Sequence, residues 1–84
     1  MSPEVVKGER PTYKVDMWAL GILLYQLTTK THPFDTSNNL KLRQDIKDNK
    51  PKNLPKGVSI TIRYLIDVLL QKDPKSRPDA ATLL

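Results

Sequence analysis

The stretch from Met17 to Leu27, MWALGILLYQL, constrains this chain more than any other. Ten of its eleven residues are apolar or glycine, and only Gln26 interrupts them. A helix apolar around its full circumference has no solvent side to present and belongs inside a larger body. Asp16 stands at the entrance of the run, in the first turn, where the helix dipole favours a negative charge. Gly21 stands in its middle, where glycine costs about 1 kcal/mol against alanine in a free helix. That cost is offset where a second segment must approach closely. The run is too short to cross a bilayer, which takes about 20 apolar residues.

The flanking sequence places shorter helices around this one. Ser2-Pro3-Glu4 reads as a helix start, with Ser2 as cap, Pro3 at the first helical position and Glu4 as the first-turn acid. Gly8 and Pro11 close that helix. The apolar helix spans about 15–29 and stops before His32-Pro33-Phe34. Ser37 is placed to cap a third helix over about 38–48, polar, with Leu40, Leu42 and Ile46 available for packing. KPKNLPKG (50–57) is a loop by its two prolines and glycine. Ser59 caps a fourth helix in which Ile62, Leu65, Ile66 and Leu69 form a one-sided stripe. QKDPKSRP is a turn, and Asp79 caps a fifth helix barely begun at Leu84. No alternation of strand length occurs, so the predicted fold class is all-α. One very apolar helix served by so few amphipathic partners marks residues 1–84 as part of a larger domain, truncated at both ends.

The net charge of +5 raises the question of nucleic acid, and six of the fourteen basic residues fall between Lys41 and Lys56. No aromatic residue lies in that stretch to stack on a base, and no helix-turn-helix, zinc or RNA-binding signature accompanies it. A solvated basic face is the expectation, with no nucleic-acid partner. The chain has no cysteine and one histidine, which leaves no disulfide and no metal site to expect. The N-terminal MSPEVVKGER carries charge where a signal peptide carries an apolar segment. An intracellular location, cytoplasmic or nuclear, with no membrane partner, is the corresponding expectation.

Taken in order, these pieces resemble the eukaryotic protein kinases, specifically the second half of the C-terminal lobe. Ser2-Pro3-Glu4 is similar to the A-P-E motif that closes the activation segment, with Ser in place of Ala. Asp16-Met17-Trp18-Ala19-Leu20-Gly21, Leu24-Tyr25 and Pro33-Phe34 resemble the central F helix and its exit. Asp73-Pro74 and Arg77-Pro78 resemble the D-P-x-x-R-P turn between the H and I helices. The resemblance covers essentially the whole chain and implies a partial helical C-lobe of the protein-kinase-like fold, with family helices EF, F, G, H and the start of I. Trp18-Ala19-Leu20-Gly21 with Leu24-Tyr25 resembles the serine/threonine branch, and Ser2-Pro3-Glu4 with this F helix is similar to NIMA-related kinases.

The resemblance also assigns roles. It implies that Asp16 receives hydrogen bonds from the backbone of the catalytic loop, and that Leu23 and Leu27 carry the apolar spine beneath the adenine ring. Glu4 and Arg77 would form an ion pair tying the activation segment to the turn before the last helix, and Trp18 would be a core aromatic. The polar helix near 38–48 would be a docking surface for substrates or regulators, against the plainer reading of solvated surface. The parent reaction moves the γ-phosphoryl of ATP to a Ser or Thr hydroxyl with Mg²⁺, using a Gly-rich loop, a strand lysine, a catalytic Asp, and Asp and Asn metal ligands. None of these stands in the 84 residues, so no catalytic, cofactor-binding or metal residue is expected here and the chain alone is expected to be inactive. The alternative is a non-catalytic, kinase-derived helical interaction module.

Overall fold

The computed structural model describes residues 1–83. Five α-helices follow one another: α1 (Pro3–Val6), α2 (Lys14–Thr29), α3 (Asn39–Asp48), α4 (Ile60–Leu69) and α5 (Ala80–Leu83), with a single 3-10 turn at Pro74–Ser76 before α5. No strand occurs among the described residues. The fold is all-α.

Local chemistry sets most of the boundaries. Gly8 ends α1 at φ +78°, a left-handed conformation that costs glycine nothing. Ser59 caps α4, its Oγ accepting from the Ile62 N–H at 3.2 Å. Asp79 starts α5 by accepting from Thr82 N at 2.9 Å, and Asp73 caps the 3-10 turn by accepting from Lys75 N at 3.0 Å. Two caps differ from the sequence reading. Asn38 caps α3, its Oδ1 accepting from Lys41 N at 2.9 Å, because its extended backbone (φ −157°) aims the carboxamide at the first turn. Ser37 lies one residue too early, and its hydroxyl donates to Asp35 instead. Ser2 occupies the cap position of α1 but makes no capping bond. Its hydroxyl is buried beside Glu4, with no partner in full hydrogen-bond geometry among the described residues.

The core forms between α2 and α4, with α3 and α1 packed to one side. Trp18, Tyr25, Phe34, Ile46, Ile66 and Leu70 make one buried cluster, flanked by the half-buried Ile22, Leu24, Leu42 and Ile62. The stripe on α4 divides by depth: Ile66 and Leu69 are buried, Ile62 and Leu65 half-buried. Gly21 lies at the α2–α4 crossing. A Cβ placed there would sit 2.8 Å from Leu69 Cβ and 2.8 Å from Leu70 Cδ2, so only glycine lets the helices close to this distance. Tyr25 donates its hydroxyl to the Lys52 carbonyl at 3.1 Å, and Lys52 N donates to the Pro33 carbonyl at 2.9 Å, which pins the 50–57 loop across the end of α2.

α2 is not covered all round. Met17, Trp18, Gly21 and Tyr25 are buried, while Leu20, Leu23 and Leu27 are 43%, 51% and 71% exposed. The chain forms a slab of 35 × 32 × 16 Å. Its thin axis holds two helix layers at the usual interaxial spacing of about 8–10 Å but not three, so a helix packed on one side shows its other side to solvent. Leu40, counted above as a packing residue of the third helix, is also outside the core at 66% exposed. It projects about 120° around α3 from Ile46, and Ile46 alone on that helix is buried.

Candidate functional site: a buried ion pair and an open helix face

Five side chains from separate stretches of the chain meet behind α2. Glu4 and Arg77, 73 positions apart, form two parallel hydrogen bonds of 2.8 Å, Nη1 to Oε2 and Nη2 to Oε1. Both are buried, at 2% and 1% exposed. The guanidinium spends its remaining donors on backbone carbonyls: Nε on Gln71 at 2.7 Å, Nη1 on Lys14 at 3.0 Å and Nη2 on Lys72 at 3.3 Å. All five N–H groups of Arg77 are therefore used, as a buried cation requires. Its plane lies over the Trp18 ring, Cζ at 5.0 Å from the centroid. Trp18 in turn stacks on Phe34 at 5.6 Å with 19° between planes. Lys72 completes the assembly, with Nζ 4.8 Å from the Phe34 centroid and donating to the Ile46 carbonyl.

The electrostatics follow from this geometry. Burial alone would raise the Glu4 pKa, but the hydrogen bonds and charge of Arg77 hold its carboxyl below the usual range. Burial likewise lowers the Lys72 pKa, against the pull of Asp45 and Asp48. At the exit of α2, His32 Nδ1 accepts from the Phe34 N–H at 3.0 Å, so the neutral ring carries its proton on Nε2. Burial lowers its pKa as well.

Asp16, Leu23 and Leu27 lie elsewhere. With Leu20 they are spaced 4, 3 and 4 residues apart, one face of the helix, and that face is opposite Trp18, Gly21 and Tyr25. Asp16 is exposed, and its carboxylate meets no donor among the described residues. The sequence-named residues thus fall into two groups: Glu4, Arg77 and Trp18 together on the packed side of α2, and Asp16, Leu23 and Leu27 on the open side. Sequence reasoning missed Lys72, Phe34 and the Lys14 carbonyl as partners of the first group. The adjoining Asp-Pro turn gives no hint that Lys72 folds back over two rings. His32 closes its own turn, its Nδ1 accepting from the N–H of the residue two positions on, a role that its identity in the sequence does not signal.

The Protein kinase domain family model matches residues 1–84. The chain belongs to the protein kinase family. G2-specific protein kinase nimA of Emericella nidulans is 36% identical over 84 residues, all of this chain and 12% of that protein. G2-specific protein kinase nim-1 of Neurospora crassa is 39% identical over 84 residues, again all of this chain and 10% of that protein. In structure, this kinase segment superposes on the twitchin kinase region from C. elegans with a TM-score of 0.86 at 30% identity, covering 92% of this chain and 14% of that one. The chain therefore spans about a tenth of the length of the curated relatives it matches. Among the described residues of this kinase segment, no three His, Cys, Asp or Glu side chains gather closely enough to hold a metal ion.

Proposed function

We propose that this chain is the supporting half of the helical lobe of a serine/threonine protein kinase, whose whole domain transfers the γ-phosphoryl of ATP to Ser or Thr hydroxyls of a protein substrate. The observation that carries the reading is the division of α2 into two faces. One is locked by the Glu4–Arg77–Trp18 assembly. The other offers the exposed Asp16 carboxylate, which meets no donor among the described residues, and three exposed leucines in one line.

A carboxylate at a helix start is a strong acceptor for backbone N–H groups. Asp16 is placed to receive them from a catalytic loop laid across the open face and so to fix where that loop sits. Leu23 and Leu27 supply the apolar bed for the stacked residues beneath the nucleotide. ATP and Mg²⁺ are held by the remainder of the domain; when bound they supply the phosphoryl group and neutralise its developing charge. The residues of this chain position and bury, and move no proton. The substrate or a regulator docks along α3, and the protein acts inside the cell, in cytoplasm or nucleus.

The test joins this chain to the preceding half of a related kinase domain and measures ATP-dependent phosphorylation of a Ser/Thr peptide. The 84 residues alone are expected to incorporate no phosphate, and the joined domain to be active. Asp16→Ala in the joined domain should lower kcat by at least tenfold with little change in melting temperature. Full activity of that variant would remove Asp16 from the support role, and phosphoryl transfer by the 84 residues alone would overturn the reading.

A further inference from the structure

Beside the C-terminal half of the packed face of α2, the 50–57 loop, α4 and the turn after it line a groove of about 690 Å³, a size at which specific binding clefts are found. Its floor is apolar: Tyr25, Leu54, Ile66 and Leu70. Its rim carries four cations on three separate elements, Lys50 and Lys52 from the loop, Arg63 from α4 and Lys72 from the turn, against Asp67 and Asp73. Four cations against two carboxylates leave the rim net positive, and one of the two, Asp73, is held in the turn by the Lys75 N–H.

The rim is also preformed. Arg63 is held by the Val58 carbonyl at 3.1 Å and by the Pro55 carbonyl. The Lys52 backbone is pinned on both sides, by Tyr25 and by Pro33. The side chains of Lys50 and Lys52 are exposed and make no ion pair among the described residues. Holding the loop and Arg63 in place lowers the ordering cost of binding.

We propose that this groove docks an acidic peptide segment of a partner protein. One apolar side chain of the segment seats on the floor, and carboxylates on either side of it pair with Lys50, Lys52 and Arg63. The spread of cations selects this occupant. A fatty acid has one carboxylate and satisfies one side of the rim, whereas an acidic peptide carries charges several residues apart. The Lys72 ammonium, tied to Ile46 and over the rings, adds to the field without leaving its place.

Exposed charge pairs contribute modestly and are screened by salt, so the binding is weak and salt-sensitive. The experiment titrates the joined kinase domain described above, which contains these 84 residues, into a labelled pentapeptide of one leucine flanked by two glutamates on each side and reads fluorescence anisotropy. Saturable binding is expected, weakened at least tenfold by Lys50→Glu with Lys52→Glu and tightened severalfold by Asp67→Lys. All three positions are exposed, so folding is not at stake. The same peptide with glutamines should bind at least tenfold more weakly. Equal affinity across these variants, or for the glutamine peptide, overturns the proposal. Decanoate bound where the peptide is not makes the groove a fatty-acid site and overturns it as well. The kinase reading stands in either case, since it uses none of these side chains.

Discussion

Replacing Glu4 by alanine takes one partner from a cation that has no other route to a counter-charge. Arg77 is 1% exposed, so water cannot take up the two donors that Glu4 Oε1 and Oε2 release. Breaking a buried pair in this way costs about 3–5 kcal/mol, against about 0–1 kcal/mol for an exposed one. A whole folded domain holds a total stability of about 5–15 kcal/mol, so the loss is a large share of the stability of the kinase domain that contains the pair. Arg77→Ala should cost at least as much, since it also frees the carbonyls of Lys14, Gln71 and Lys72 and leaves a void against Trp18. Arg77→Lys should recover less than half of the loss, because an ammonium cannot grip both carboxylate oxygens in one plane. Urea unfolding followed by circular dichroism at 222 nm on the wild type, both alanine variants and the double variant gives the coupling. A coupling of about 2–4 kcal/mol is expected, with the double variant far short of additive. Small and strictly additive effects would mean that the two charges do not meet and that the slab is not closed by this pair.

Other substitutions test other parts of the packing. Gly21→Ala gains about 1 kcal/mol of helix propensity but drives a methyl to 2.8 Å from Leu69 and Leu70, an overpacking worth about 1–3 kcal/mol; a higher melting temperature would show that α2 and α4 do not touch there. Lys30→Gly relieves a left-handed residue at the C-cap of α2, φ +60°, and should stabilise by about 1 kcal/mol, read as a rise of about 4–8 °C in Tm; no rise would refute the strain. Acid titration should show two losses of stability. His32 has its pKa lowered from 6.5, so the unfolded chain binds its proton first and stability falls as pH drops below 6.5. Glu4 has its pKa lowered from 4.5, so its contribution is complete above 4.5 and is lost as pH falls further, alongside those of Asp35 and Asp79 below 3.8. His32→Gln should flatten the first arm and Glu4→Gln reduce the second; unchanged acid profiles would refute the assignments.

The helices were legible because their signals are local. Caps, prolines and glycines act within a turn of the residue that carries them, and the α4 stripe shows its period in ten residues. The cap of α3 was misplaced because Ser37, Asn38 and Asn39 are three adjacent candidates, and only the backbone angle at Asn38 selects among them. Leu40 was misplaced because an apolar residue on a short polar helix looks like a packing residue from its identity alone. From the apolar pattern alone the covering of α2 is not legible, and only the family resemblance separates Trp18 from Asp16, Leu23 and Leu27. A helix apolar on every side has no period, so nothing in residues 17–27 says which face meets α4 and which stays open. Glu4 and Arg77 could be named together only through the family resemblance, since no spacing rule links positions 73 apart. The stack of Arg77, Trp18, Phe34 and Lys72 is tertiary throughout, and none of its members announces the others.

The two faces of α2 are physically connected even though their residues never touch. α2 is a 16-residue helix of about 24 Å, stiff over that length, and Trp18 and Asp16 stand within one turn of each other on opposite sides. Arg77 binds the Lys14 carbonyl at the first residue of α2 and Glu4 at the first turn of α1, so one guanidinium sets the position of that end of the helix relative to α1. Any group resting on Asp16 is therefore placed by Arg77 at one remove. Helix α4 acts at the middle, through Gly21, and Tyr25 fixes the far end by its bond to Lys52. Three separated contacts on one face hold a rod against translation and tilt. An open face held in this way keeps the spacing of Asp16, Leu23 and Leu27 without any contact of its own, which is what a platform for another segment requires.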